Sequence, residues 1–363
     1  MRWIRFFALL PVLFCFFCTG AFAVSSLEDE IDTKGILDSV PSEAQEVLQD
    51  YSPLDTESDG AIGRLLDYIK GKAGEVFAQT IGSVVKILAV VLVCSLVSGM
   101  NLFKGGFDYV NLAGCLAIAA LAISDVNSVI RMGAKTLEDI SVFSKALLPT
   151  LATAATAAGA TTSAGIKYAA TSMFMDVLIS AATSVVFPLM YAYTACVLAS
   201  CAIGDKRLDA AVKLIKKVTV IIITALVSVF TFYLSASGVV AASTDAAASK
   251  LVKTAVSALP VVGRTISDAA STIVSGAGII RSSIGVFGLV AILAICALPI
   301  LRLAVKYLLF KATASIAEPI AGERVSKLID GISSVYGMVV GMVGVGAVFM
   351  FFSIISLIKV VSG

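Results

Sequence analysis

Residues 333 to 358 read SSVYGMVVGMVGVGAVFMFFSIISLI, a run without a single charged side chain. A helix rises about 1.5 Å per residue, so such a run is long enough to cross the roughly 30 Å hydrocarbon core of a bilayer. Similar apolar stretches recur upstream, at Ile81 to Asn101, Tyr109 to Ile130, Tyr168 to Ile203, Val218 to Ala241 and Ile284 to Leu301. Hydrophobic residues make up 58% of the chain and charged ones 14%, where an ordinary soluble domain has roughly 25% charged. The sequence therefore predicts an all-α, polytopic membrane protein with about six transmembrane helices, embedded in and partnered by the lipid bilayer. Two weaker stretches, 146–165 and 252–262, are candidates for re-entrant or interfacial segments.

The chain has no histidine. That removes His-ligated metals, Ser-His-Asp arrangements and imidazole proton relays. No G-x-x-x-x-G-K-[ST] loop is present, so the chain is not itself a P-loop ATPase. No cofactor, catalytic constellation or nucleic-acid partner is expected. Cys94, Cys115, Cys196, Cys201 and Cys296 lie in apolar runs without C-x-x-C spacing, and read as small buried hydrophobes.

Three regions follow one another along the chain. Arg2 and Arg5 precede an apolar stretch from Phe6 to Phe17, and Ala21-Phe22-Ala23 has the small-x-small form of a cleavage site. Residues 1–23 are thus expected to be a cleaved signal peptide. In 24–80, thirteen acidic residues stand against four basic ones, a net charge of −9. This is an acidic extracytoplasmic segment, with short helices expected at Ser42 to Leu48 and Asp59 to Ala78. Residues 81–363 form the polytopic body.

Charge sets the orientation. Lys206, Arg207, Lys213, Lys216 and Lys217 follow the third span, and Arg302, Lys306, Lys311, Arg324 and Lys327 follow the fifth. The positive-inside rule places both groups in the cytoplasm. The two agree if Tyr168 to Ile203 crosses once, with a bend near Ser184 where Pro188 removes a helix hydrogen bond.

Asp176 sits within an apolar run, where a carboxylate costs about 2.5 to 3.5 kcal/mol on insertion scales. It is expected to face the bundle or a wet cavity and is the candidate intramembrane polar site. Lys86 and Asp125 lie near span ends and read as snorkelling to the headgroups. Gly337, Gly341 and Gly344 give the last span a small face suited to close helix packing, within the bundle or between subunits. The stretch Ala258-Leu259-Pro260-Val261-Val262-Gly263, followed by Asp268, is too apolar for a solvated loop. It suits a hairpin dipping into the membrane, rimmed by Lys250, Lys253, Arg264 and Arg281. The acidic N-terminal segment or phospholipid headgroups are the partners for that rim.

With this layout, the motif around Leu259, Pro260, Gly263 and Asp268, and a closing region with Pro299, Pro319 and a Gly-rich final span, the chain resembles the stage III sporulation protein AE family of endospore-forming bacteria. The resemblance covers essentially the whole chain. It implies a non-enzymatic integral membrane subunit of the channel complex between mother cell and forespore. The implied site is the mother-cell-derived outer forespore membrane. The implied partners are other integral membrane subunits and a cytoplasmic ATPase, within an oligomer. The family carries no catalytic residues to transfer. A stand-alone secondary transporter is the alternative. That would need broken helices and midplane charges in both halves, whereas Asp176 and Pro188 fall in one half.

Overall fold

A computed structural model describes residues 33–48, 59–99, 109–157, 161–204, 206–257 and 263–358, without side chains for 33, 59–62, 98–99, 109–111, 161, 206 and 233–281. The proposed signal peptide lies outside the described residues, as do Leu259 and Pro260. Every regular element among the described residues is a helix. Two short helices come first, α1 (Thr33–Asp38) and α2 (Ser42–Gln45). Then follow α3 (Asp59–Gly99), α4 (Tyr109–Ala157), α5 (Thr161–Ala181), α6 (Phe187–Ile203), α7 (Lys206–Ser257), α8 (Gly263–Ala321) and α9 (Glu323–Ile358).

A single π turn, Ala182–Val186, joins α5 to α6. This is where the sequence predicts a bend. Proline has no N–H to offer the carbonyl four residues back, and Pro188 sits at the start of α6; the ladder widens by one residue. Tyr168 to Ile203 thus forms part of one continuous helical crossing, and six helical segments are long and apolar enough to span a membrane.

The crossings are longer than a bilayer requires. α4 has 49 residues and continues through Pro149, a length of roughly 73 Å at 1.5 Å per residue. The stretch 146–165, the candidate re-entrant or interfacial segment, comprises the end of α4 and the start of α5. Similarly, α7 runs on to Ser257 and α8 starts at Gly263. Residues 252–257 are therefore the last turns of a long helix, and Gly263 and Asp268 stand in the first turns of the next. The helix predicted at Asp59 to Ala78 is continuous with the first span, so residue 80 falls within α3.

Two glycines terminate helices at the same end of the bundle. Gly204 (φ 73°) closes α6, and its N–H donates to the Ser200 carbonyl at 2.8 Å. Gly322 (φ 82°) closes α8, donating to the Glu318 carbonyl at 3.0 Å. Left-handed backbone suits glycine. One residue, Gly322, is all that separates α8 from α9, which makes them antiparallel neighbours along their length. Glu323 in the first turn of α9 suits the positive end of the helix dipole.

α9 is the central helix, packed against α8, α4, α6, α7 and α5. Ile329, Val335, Tyr336, Val339, Met342, Val343, Met350, Ile354 and Leu357 are all buried. A helix apolar nearly all round belongs in a core. Close approach is built in: a Cβ on Gly346 would lie 2.6 Å from Leu137 Cδ2, and one on Gly288 would lie 2.5 Å from Leu147 Cδ2. Phe230 of α7 stacks on Phe349 of α9, centroids 3.8 Å apart. Phe174 of α5 lies 6.0 Å from each of them.

The acidic segment docks on this bundle. α1 packs against α4 and α2 against α8, burying Ile36, Val40 and Ala44. Glu43 pairs with Arg302 at 3.6 Å.

Candidate functional site

The bundle is pinned by a polar layer where α4, α8 and α9 meet. Lys306 Nζ donates to Asp125 Oδ1, and Tyr336 Oη donates to Asp125 Oδ2 at 2.7 Å. The Asp125 and Lys306 side chains are only 19% and 17% exposed, and Tyr336 is fully buried. Phe310, one turn from Lys306, meets the Tyr336 ring edge-on with centroids 5.0 Å apart.

Local sequence puts these groups together. Asp125 falls on the buried stripe of α4 between Ala122 and Val129, and Lys306 falls between Leu303 and Phe310 on α8. Those spacings of three and four place each charge on a core-facing side. Two other polar contacts lie at neighbouring positions. Lys216 Nζ donates to Ser334 Oγ at 2.9 Å, and Tyr191 Oη donates to Asn127 Oδ1 at 2.9 Å. The layer thus also engages α6 and α7. Hydroxyls elsewhere in the spans bond back along their own helix, as Thr194 does to Met190 and Thr313 to Leu309.

A cavity of about 100 Å³ reaches Asp125 from the α3 side, lined by Ser83, Lys86, Ile87, Leu121, Ala122, Asp125 and Phe310. The expectation that Asp125 snorkels from a span end is therefore corrected. Helix α4 extends well past residue 130, so Asp125 lies inside a long helix and turns to its partners. Lys86 lines the same cavity. The ammonium and the phenol give each carboxylate oxygen of Asp125 one donor. Together they lock three helices at one height, and removing one partner would strand a buried charge.

Asp176 takes the opposite position. Its side chain is 64% exposed and meets Lys145 of α4 at 3.8 Å. It lines an open groove with Tyr168, Ser172, Met173 and Ser180 on the outer surface of α5, so it does not point into the bundle. The small face of α9 divides. A Cβ on Gly337 would meet the Tyr307 ring at 3.1 Å, whereas Gly341 and Gly344 face open space. Gly337 is a contact within the bundle; the other two are free of it.

At the end bearing Gly204 and Gly322, charges knit the helix tips. Ser200 donates to Asp209, and Lys327 reaches both Asp209 (3.4 Å) and Glu323 (2.8 Å). Lys311 pairs with Asp330. The Arg324 guanidinium lies over Gly204. Of the two basic groups that the positive-inside rule puts on one side, Arg324 and Lys327 stand at this end, whereas Lys216 and Lys306 reach into the polar layer and Arg302 meets Glu43 of the acidic segment. Arg302 is a partner of the acidic segment; the side chains of Lys250, Lys253, Arg264 and Arg281 lie outside the described residues.

The cysteines require a further correction. Cys115 of α4 and Cys201 of α6 are joined as a disulfide, with Cα atoms 6.1 Å apart, whereas the sequence reads both as buried thiols. Nothing in their spacing, 86 residues, signals the pairing; only the packing of α4 on α6 does. Cys94, Cys196 and Cys296 are free. Among the described residues no group of acidic or cysteine side chains is arranged to hold a metal ion.

Known proteins supply the context for this architecture. The model of the family described as "Stage III sporulation protein AE (spore_III_AE)" matches residues 46–362. A curated relative, the stage III sporulation protein AE of Bacillus subtilis (strain 168), is 22% identical over 219 residues, 60% of this chain. That match spans 55% of the relative's own length. No solved structure matches. The family model runs from the acidic segment through all six crossings to the end of α9, and on that extent the chain belongs to the stage III sporulation protein AE family.

Proposed function

We propose that this protein is a non-enzymatic, multi-pass subunit of a channel complex joining mother cell and forespore, needed for late forespore gene expression. The family match across the six-helix body carries this reading. In this reading the chain sits in the outer forespore membrane. The basic helix tips around Gly204 and Gly322 face the cytoplasm, where Arg207, Lys213, Lys217 and Lys327 offer a charged face for a soluble ATPase. Gly341 and Gly344, open on α9, offer a close-packing face to other membrane subunits or a second copy.

Deleting the gene and following a late forespore-specific reporter tests the proposal. Arrest after engulfment with a silent reporter is the expected result. Normal spores with altered solute uptake would replace it with a stand-alone transporter.

A further inference from the structure

α4 changes character along its length. In its first half the exposed residues include Leu116, Ala117, Ala120, Leu121 and Ile123, and no exposed described side chain there is charged. From residue 131 onward the exposed residues are Arg131, Lys135, Glu138, Val142, Lys145, Pro149, Thr153 and Thr156. Their spacing of three and four makes one continuous stripe down the helix. α3 runs antiparallel beside it, bringing Cys94 against Gly114 and Ser83 into the cavity with Asp125. It grows more apolar at the matching height: Arg64, Asp67, Lys70, Glu75 and Gln79 are exposed before residue 80, beside Leu66 and Phe77, and Ile81, Val85, Leu92, Val93 and Leu96 after it, with Lys86 the exposed charge among residues 81–97.

The opposite side of the bundle does not switch there. Gly346 packs on Leu137 and Ile140 of α4, and Phe349, one turn on, stacks on Phe230 of α7. Residues 135–142 of α4 and 227–232 of α7 are therefore level with one another. At that height α7 exposes Val227, Val229 and Phe232, the last at 77%. One side is suited to hydrocarbon and the other carries charge. Charged side chains at membrane depth face water or a protein partner, not lipid.

We propose that the second half of α4, with Asp176 of α5, lines an aqueous vestibule that opens at the end away from Gly204 and Gly322. Glu138 and Asp139 pair with Lys135 at 3.4 and 3.0 Å, and Asp176 with Lys145. With Arg131, three basic groups stand against three acidic ones. A wall without net charge favours neither cations nor anions, and suits small uncharged or zwitterionic polar solutes. The solute class rests on the channel reading above; the hydration of α4 does not.

The test uses native lysines of the full-length chain in lipid nanodiscs, where both faces are accessible. The probe is a sulfonated, water-soluble amine-reactive ester, read by peptide mass spectrometry. Lys135 and Lys145 are expected to react within about threefold of the helix-tip lysines Lys213 and Lys327, and Lys306 at least about tenfold more slowly, as amines held from water do. Val142→Lys, on the same stripe, should react like Lys135, and Val229→Lys, level with it on α7, should lag. Lys135 and Lys145 reacting as slowly as Lys306, or Val142→Lys lagging with Val229→Lys, would overturn the vestibule. Fast labelling in a protein whose deletion leaves sporulation normal would keep the vestibule and remove the channel role.

Discussion

Two aspartates in apolar surroundings, Asp125 and Asp176, exchange the ranks that hydropathy gives them. Asp176 stands in the longest apolar stretch, yet it is 64% exposed beside Lys145 on the outside of the bundle. Asp125 looks like a span-end residue, yet it is held between Lys306 and a buried tyrosine at the junction of three helices. The difference teaches that depth along a helix and burial around it are separate coordinates. Hydropathy reports the first. The second depends on which face a neighbour covers.

The largest effect should come from stranding a charge at the Asp125 layer. Asp125→Ala or Lys306→Met should each cost about 3 to 5 kcal/mol, read as a lower temperature of thermal aggregation in detergent. The double substitution Asp125→Leu/Lys306→Leu should recover much of that loss; a double variant no more stable than the singles would break the paired reading. Tyr336→Phe removes one hydrogen bond to a charged group and should cost about 1.5 to 3 kcal/mol in the same assay.

Packing gives a comparison of similar form. Gly346→Leu drives a side chain into Leu137 and should destabilise by about 1 to 3 kcal/mol or more. Gly341→Leu points into open space and should leave monomer stability nearly unchanged while shrinking the detergent-resistant complex. If Gly341→Leu destabilises the isolated chain as Gly346→Leu does, the two faces are not distinct. The smallest effect belongs to Asp176→Leu, whose exposed ion pair contributes at most about 1 kcal/mol. A loss as large as that of Asp125→Ala would reverse the comparison and return Asp176 to the interior.

The same separation of depth from burial explains α7 and α9. Both qualify as spans, but the most apolar part of α9 is half buried in protein and that of α7 only 11%. The run at 333 to 358 is apolar because it fills the centre of a bundle, and it is also long enough to cross a bilayer. In α4, the charged residues from Arg131 to Lys145 hid the continuation of the helix from a reading based on uninterrupted hydropathy. Their spacing of three and four was nonetheless present, and it is the signal that would have extended the helix past residue 130.

The sequence by itself determined the helical membrane class, the six crossings, the perturbation at Pro188 and the grouping of basic residues. Chain length, backbone hydrogen bonding and hydration energy act locally and leave their mark in composition and order. The Asp125–Lys306–Tyr336 layer, the Cys115–Cys201 bond, the central place of α9 and the outward turn of Asp176 were decided by tertiary structure. Each depends on contacts between residues far apart in the chain, set by how whole helices rotate and slide against one another to fill space.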